Sequence, residues 1–266
     1  MQITLISGLF AIFFYLLGSV TQGLGIASKE NRKNKVFLYG SLAVMAHGLS
    51  VYGVIRVNGA YHFGFFEIST LIALLISLLV LISSIRKPLE NLFLGLFPLA
   101  IIAIIGSLTT DSTFPPTILS LGVASHVLAS ILAYSFMTIA ALQATFLAFQ
   151  NYQLKHKNMG GIIKKFPPLQ DMEVFLFELL WAGQFLLSIG ILAGFLFIED
   201  IWGRDGVIHK TFFSLLAWSV FAVLLWGRHK MGWRGVSAIR GTLIGFTFLI
   251  IGFYGSKFVL EFILRQ

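Results

Sequence analysis

Eight runs of apolar residues, most of them about as long as a lipid bilayer is thick, dominate this sequence. They fall approximately at residues 3–25, 36–56, 67–85, 91–108, 118–150, 173–199, 207–227 and 236–263. A spanning helix needs roughly 20 consecutive apolar residues. In hydrocarbon the backbone must satisfy its own hydrogen bonds, so only helices and closed barrels span. These runs are too long and too uniformly apolar for barrel strands, which alternate in segments of about 10 residues. The pattern predicts an all-α, polytopic transmembrane helix bundle of about eight helices, forming a single integral membrane domain over 1–266. Composition points the same way: 57% of the chain is hydrophobic and 11% charged, where a soluble domain carries about 25% charged residues. The first run, "MQITLISGLFAIFFYLLGSV", has no basic n-region and no obvious cleavage site. It is expected to be a retained helix rather than a signal peptide.

Orientation follows from the basic residues, which accumulate on the cytoplasmic side. Fourteen of the 19 Lys and Arg residues lie in or beside the loops after helices one, three, five and seven. The other five are Arg56, Arg204, Lys210, Lys257 and Arg265. This split, with an even number of passes, places both termini outside. The net charge of +8 then reports cytoplasmic loops rather than a nucleic-acid partner. The fifth run, at about 1.5 Å per residue, spans roughly 50 Å and extends beyond the bilayer. Pro167 and Pro168 break the chain after it, and Asp171 is the expected N-cap of helix six.

The chain has no cysteine, which excludes disulfides, thiolate metal sites and covalent c-type haem attachment. Histidine is then the first residue type to consider as a metal or haem ligand. His156 and His229 lie among basic residues of the inner loops and read as solvated. The other four lie in the outer half or its loops: His47 in "AVMAHGLSVYG", His126 in "GVASHVLASILAYS", His62 in "NGAYHFGFFE" and His209 in "GVIHKTFFSLLAWSV". His47 and His126 come at matching depths, roughly 14 and 12 Å of helix from their outer ends. An ionisable residue inside the bilayer is costly and faces the bundle interior. It is either a neutral bridge between helices or part of a site. His126 shares its side of the helix with Gly122, Val123, Ala129, Ser130 and Ala133. So flat a face permits close helix packing. It equally permits a planar macrocycle with His126 as axial ligand, and periodicity does not separate the two.

His209 and Lys210 stand at the outer mouth of helix seven, after "FIEDIWGRD" with Glu199, Asp200 and Asp205. One reading is an interfacial cap with Lys210 snorkelling. The other is a polar cleft in which His209 is a second ligand and Lys210 or Arg204 pairs with carboxylates such as haem propionates. Gly241 and Gly245 form a G-x-x-x-G, read as packing. Glu67 and Glu178 read as helix-start charges. No P-loop, nucleophile elbow or H-E-x-x-H occurs, and no chain of intramembrane carboxylates suggests a proton relay.

Three strings occur in order: "SHVLASILAYSFMTIAALQA", "FPPLQDMEVFLFELLWAGQFLLSIGILAGF" and "HKTFFSLLAWSVFAVLLWGRHKMGWRG". Together they resemble the cytochrome c assembly (CcsA/CcmC/HemX-like) membrane proteins, most nearly the short YpjD-type inner-membrane members. The resemblance covers about residues 118–240; the first four helices fit in number and general character. It implies haem b handling at the outer face of the bacterial inner (plasma) membrane, in an auxiliary role in cytochrome assembly. Members of the haem-lyase type carry a tryptophan-rich outer loop ending in Asp-Pro-Lys. The matching stretch is "GFLFIEDIWGRDGVIHKT". Lys210 matches the family lysine, His209 replaces the proline, and Trp202 alone remains of the tryptophans. His126 falls where the family places an outer-facing histidine.

These departures argue against lyase catalysis. The expectation is a haem-binding protein with His126 and His209 as axial pair, His47 and His62 in reserve, and Lys210, Arg204 and Trp202 around the group. Its partners would be the lipid bilayer and other membrane or cytochrome-assembly proteins. The alternatives are a small-molecule or quinone-binding, transporter-like protein, and a scaffold for a membrane complex without cofactor.

Overall fold

The computed structural model describes residues 2–28, 32–57, 59–87, 89–110, 116–157, 166–197 and 207–263. The expected helical membrane architecture is found. Among the described residues the principal helices are α1 (Gln2–Ser28), α2 (Lys33–Ile55), α3 (Phe65–Arg86), α4 (Phe93–Thr109), α5 (Leu121–Lys155), α6 (Leu169–Phe197), α7 (Val207–Met231) and α8 (Val236–Ile250). Two short antiparallel strands, β1 (Arg56–Val57) and β2 (Ala60–Tyr61), join α2 to α3. Seven helices, with α8 counted through its continuation to Phe258, are long and apolar enough to cross a membrane; α4 is apolar but shorter, at 17 residues. Large apolar side chains stand exposed along them, among them Phe13, Met45, Ile82, Ile102, Leu128, Phe185, Phe212 and Ile244. Such surfaces are liabilities in water and are what a spanning helix offers to lipid.

The helix ends have local causes. Ser120, in extended conformation, caps α5 through a long Val123 N–H to Ser120 Oγ bond of 3.4 Å. The helix therefore starts at Leu121 rather than at 118. α6 starts at Leu169, directly after Pro168. Asp171 thus lies inside the first turn, not at the cap, where its carboxylate still meets the positive end of the helix dipole. α8 does not run evenly to 263. It widens to i→i+5 turns at Ile251–Gly255 and Val259–Ile263, on either side of a short α-turn at Ser256–Phe258.

The chain forms two compact units. Of the described residues, those up to 118 together with Phe166 make the first; those of 119–157 and from Pro167 on make the second. In the first, α1 packs on α2 and α4, and α3 on α4 and α2. Tyr15, Phe93, Phe97 and Ile104 fill its core. Tyr61 of the hairpin exchanges backbone hydrogen bonds with Thr117, at 3.1 and 2.9 Å. In the second, α5 and α6 make the most extensive pairing, α8 packs on α5 and α7, and α7 also on α6. Its core is Met137, Leu176, Leu180, Phe221 and Leu224. The Gly241/Gly245 pair is used inside this unit. A Cβ at Gly241 would lie 3.1 Å from Leu224, and one at Gly245 2.6 Å from Phe221, both on α7.

Candidate functional site

Within the second unit a cavity of about 300 Å³ opens between α5, α6, α7 and the widened end of α8. Its polar lining comes from His126, Ser130 and Tyr134 on α5 and from Lys210, Thr211 and Ser214 on α7. The rest is apolar or glycine, including Leu187, Gly190, Gly194 and Phe253. Four-residue spacing stacks His126, Ser130 and Tyr134 along one face of α5. The same spacing relates Lys210 to Ser214 on α7.

His126 is held against the backbone of α6. Its Nδ1 lies 2.7 Å from the carbonyl oxygen of Gly190. A carbonyl only accepts, so Nδ1 carries the proton. In the neutral ring Nε2 then keeps its lone pair, the state in which a histidine ligates a metal. Such close approach needs glycine on the partner helix. A Cβ at Gly194 would lie 3.1 Å from both His126 Nδ1 and Cε1, and one at Gly190 would lie 3.1 Å from Ser130 Oγ. The small residues beside His126 that stood out in the sequence therefore have a counterpart, the "GILAG" stretch of α6.

Tyr134 is the lining residue of α5 farthest from the helix start, and its hydroxyl donates to the carbonyl of Leu249 at 2.8 Å. Directly beyond that residue α8 widens, and Gly252 and Phe253 of the widened turn line the cavity. Such π-turns are frequent at functional sites.

Lys210 faces this cavity; His209 is exposed and is not among the lining residues. Consecutive helical residues point roughly 100° apart, at 3.6 residues per turn. The helix that turns Lys210 inward thus turns His209 to the rim. The structure brings His126 and Lys210 together and leaves His209 beside them, outside the cavity wall. Trp202 and Arg204 lie outside the described residues, as do Glu199, Asp200 and Asp205.

The other two candidate ligands, His47 and His62, belong to the first unit. His47 is fully buried. Its Nδ1 lies 3.2 Å from the Tyr15 hydroxyl and its Nε2 2.8 Å from Thr70 Oγ1. One nitrogen donates and the other accepts, so both are occupied, and the ring ties α1, α2 and α3 together. His62 follows β2, its backbone N–H donating to Ile55 at 2.9 Å. Among the described residues no cluster of three or more His, Asp or Glu side chains suits a bare metal ion.

Comparison with known proteins identifies the family. The family model for cytochrome C assembly protein matches residues 35–264. The chain belongs to the cytochrome c assembly protein family. It is 32% identical over 142 residues to the inner membrane protein YpjD of Escherichia coli K12, which covers 53% of each chain. It is 24% identical over 276 residues to an uncharacterized 28.8 kDa protein of Azospirillum brasilense, across 99% of this chain and 100% of that one. It is 26% identical over 124 residues to the cytochrome c biogenesis protein CcsA of Oryza sativa, covering 46% of this chain and 35% of that protein. The match to YpjD spans about half of that relative's length. No solved structure matches. The family, its inner-membrane relative and, among the described residues, seven helices long and apolar enough to span make the chain a multi-pass inner-membrane protein of the cytochrome c assembly family.

Some residues of the site were missed in the sequence. Tyr134 was legible as the third member of a four-residue series from His126. Gly190 and Gly194 were legible as a small-residue pair on α6. Away from the cavity, at the other end of α6, Glu173 gave no signal. It receives Arg228 Nη1 at 2.9 Å, Arg234 Nε at 3.2 Å and the backbone N–H of Gly235 at 3.2 Å.

Proposed function

We propose that this protein binds haem b through the α5–α8 unit, near the outer face of the membrane, as a non-catalytic auxiliary in haem handling or cytochrome assembly. The observation that carries the reading is His126: one ring nitrogen bonded to a backbone carbonyl, the other in acceptor form, on the wall of a cavity that also holds a lysine. Bound haem supplies an iron that takes axial nitrogen donors. His126 Nε2 would be one donor. Lys210, with Thr211 and Ser214 beside it, would hold a propionate by a charge-assisted hydrogen bond. Tyr134 and Ser130 would line the apolar ring's edge. The cavity is at the small end of ligand pockets, about 300–1,000 Å³, so part of the macrocycle would extend past the rim. There His209 would be the second axial donor. His62, and His47 only by giving up a bond to Tyr15 or Thr70, would be the reserve ligands of the other unit.

The outer-face assignment rests on the charge split, and on position. His126 is near the start of α5 and Lys210 near the start of α7, while Lys155 and Arg228 lie at the opposite ends of the same helices. Reporter fusions after Gln266 and within 155–165 should report opposite sides; a cytoplasmic C-terminus would overturn the orientation. For the cofactor, the test is the visible spectrum of detergent-purified protein from haem-supplemented cells. A Soret band that shifts on dithionite reduction is expected. A colourless protein would overturn haem binding and favour a small-molecule or quinone cavity instead.

A further inference from the structure

At the far end of the second unit, about 27 Å of α7 away from Lys210 at 1.5 Å per residue, lies a second organised cluster. The α7–α8 loop reads "GRHKMGWRG". Gly232 and Gly235 take positive φ, +66° and +54°, conformations that favour glycine. Between them Trp233 folds back, its N–H donating to Gly227 at 3.2 Å and its ring occupying the space a Cβ at Gly227 would need. Glu173, from the first turns of α6, then fixes the loop from below. One carboxylate oxygen takes Arg228 and Arg234, and the other takes the Gly235 N–H. Arg228 also lies over the Phe177 ring, 4.6 Å from its centroid.

This clasp leaves a defined set of groups facing out. Arg234 spends its Nε on Glu173 while its side chain stays 57% exposed, so the terminal nitrogens of its guanidinium are presented outward. Lys230 and Arg240 are exposed. Four cations, Arg228, Lys230, Arg234 and Arg240, stand against three carboxylates in the first turns of α6, Glu173 and the exposed Asp171 and Glu178. Exposed Trp226, Met231 and Val236 flank them. Aromatic and apolar side chains beside cations at one end of a spanning helix suit the headgroup layer. An oriented guanidinium with a nearby ammonium suits a phosphate diester.

We infer that the Glu173-pinned α7–α8 loop is a built binding site for the phosphate headgroup of an anionic phospholipid. Arg234, Lys230 and Arg240 would take the headgroup, and Trp226 and Met231 the first part of its chains. Basic pockets at helix ends bind such headgroups in membrane proteins. Here the carboxylate has an organising part: it costs the surface one charge and fixes the loop in its bound shape before the lipid arrives.

That division gives a test whose sign separates a built site from plain attraction. The full chain in neutral detergent would be titrated with phosphatidylglycerol, phosphatidylcholine or inorganic phosphate, and bound lipid read by native mass spectrometry. Phosphatidylglycerol should be retained over phosphatidylcholine, and inorganic phosphate should not displace it at equal concentration. Lys230→Gln with Arg240→Gln should weaken retention by roughly fivefold for each charge removed; Lys155→Gln with Lys157→Gln, which removes equal charge from exposed residues at the end of α5 and just beyond it, should leave it unchanged. Glu173→Gln makes the surface more positive, so plain attraction predicts tighter binding, whereas a pinned site predicts weaker. Equal retention of both lipids, displacement by phosphate, tighter binding by the Glu173 variant or an equal loss in the Lys155/Lys157 pair would each overturn the proposal. Should Glu173→Gln fail to fold, the contrast between the two lysine- and arginine-neutralised pairs decides it.

Discussion

His47 and His126 are both histidines inside spanning helices, at similar depths in the sequence pattern, and the two units treat them oppositely. His47 has both ring nitrogens bonded to side chains of two other helices and no exposure at all. His126 has one nitrogen bonded to a backbone carbonyl and borders a cavity. A buried imidazole with both nitrogens satisfied is a bridge. Opening it to a ligand would leave a buried hydroxyl unpaired, which costs about 1–3 kcal/mol. One with a carbonyl-fixed tautomer keeps an acceptor nitrogen, which is what the proposed ligation would use. The comparison teaches that depth in the sequence pattern does not distinguish the two histidines; the number of committed ring nitrogens does.

The largest effects come from removing each ring in turn. His126→Ala should abolish haem retention or convert the spectrum from low-spin to high-spin, with the fold kept. His47→Ala should leave the spectrum alone and lower stability by about 2–4 kcal/mol, from a truncated core side chain and two lost interhelical bonds. Absorption spectra and thermal unfolding in detergent read both. The opposite pairing of outcomes would break the comparison and move the haem to the first unit.

A smaller change tests how tightly α6 holds His126. Gly194→Ala places a methyl 3.1 Å from the ring, closer than carbon and nitrogen settle at rest, so the imidazole must shift. The expected result is a protein that still binds haem with an altered ligand field, visible in the low-spin resonance spectrum. An unchanged spectrum would mean that the ring has room the packing does not suggest. Smaller again is Lys210→Ala. An exposed ion pair is worth about 0–1 kcal/mol, and a partly enclosed one somewhat more. Haem affinity should fall modestly, by less than about tenfold, with the spin state unchanged. A changed spin state would make Lys210 an iron ligand instead of a propionate partner.

The helices were legible because bilayer thickness imposes a length and lipid imposes a composition, so the apolar runs announce themselves. The small-residue face beside His126 was legible for the same reason: helical spacing is fixed by geometry. What stayed hidden required knowing which helices touch. Tyr15 and Thr70 are 32 and 23 residues from His47, and no local pattern links them. The Gly190 carbonyl that fixes His126 is 64 residues away. Glu173 reads as an ordinary charge in the first turns of a helix until two arginines, 55 and 61 residues on, fold back onto it. The different facing of His209 and Lys210 was within reach, since neighbours on a helix never share a face. Where they stand relative to the segment before α7 concerns residues 198–206, outside those described.

The smallest test bears on the bridge itself. Tyr15→Phe removes one hydroxyl from the His47 network and leaves the rings of Phe93 and Phe97 packed as before, the latter 5.0 Å from the Tyr15 ring. Interhelical hydrogen bonds in membranes average about 0.6 kcal/mol and reach about 1.7, so the expected loss is small but measurable. It should be smaller than that of His47→Ala, because the Thr70 contact survives. Either tautomer leaves Nδ1 stranded in the variant: a buried lone pair if Nδ1 accepts from Tyr15, and a buried N–H, or after a change of tautomer the same lone pair, if it donates. The loss should therefore lie toward the upper figure. Nitrogen shifts of His47 in the wild type and the Phe variant, read beside the unfolding data, separate the two tautomers. A variant with no change in either would show that the Tyr15 contact is packing alone, and His47 would then have a nitrogen to spare, as His126 does.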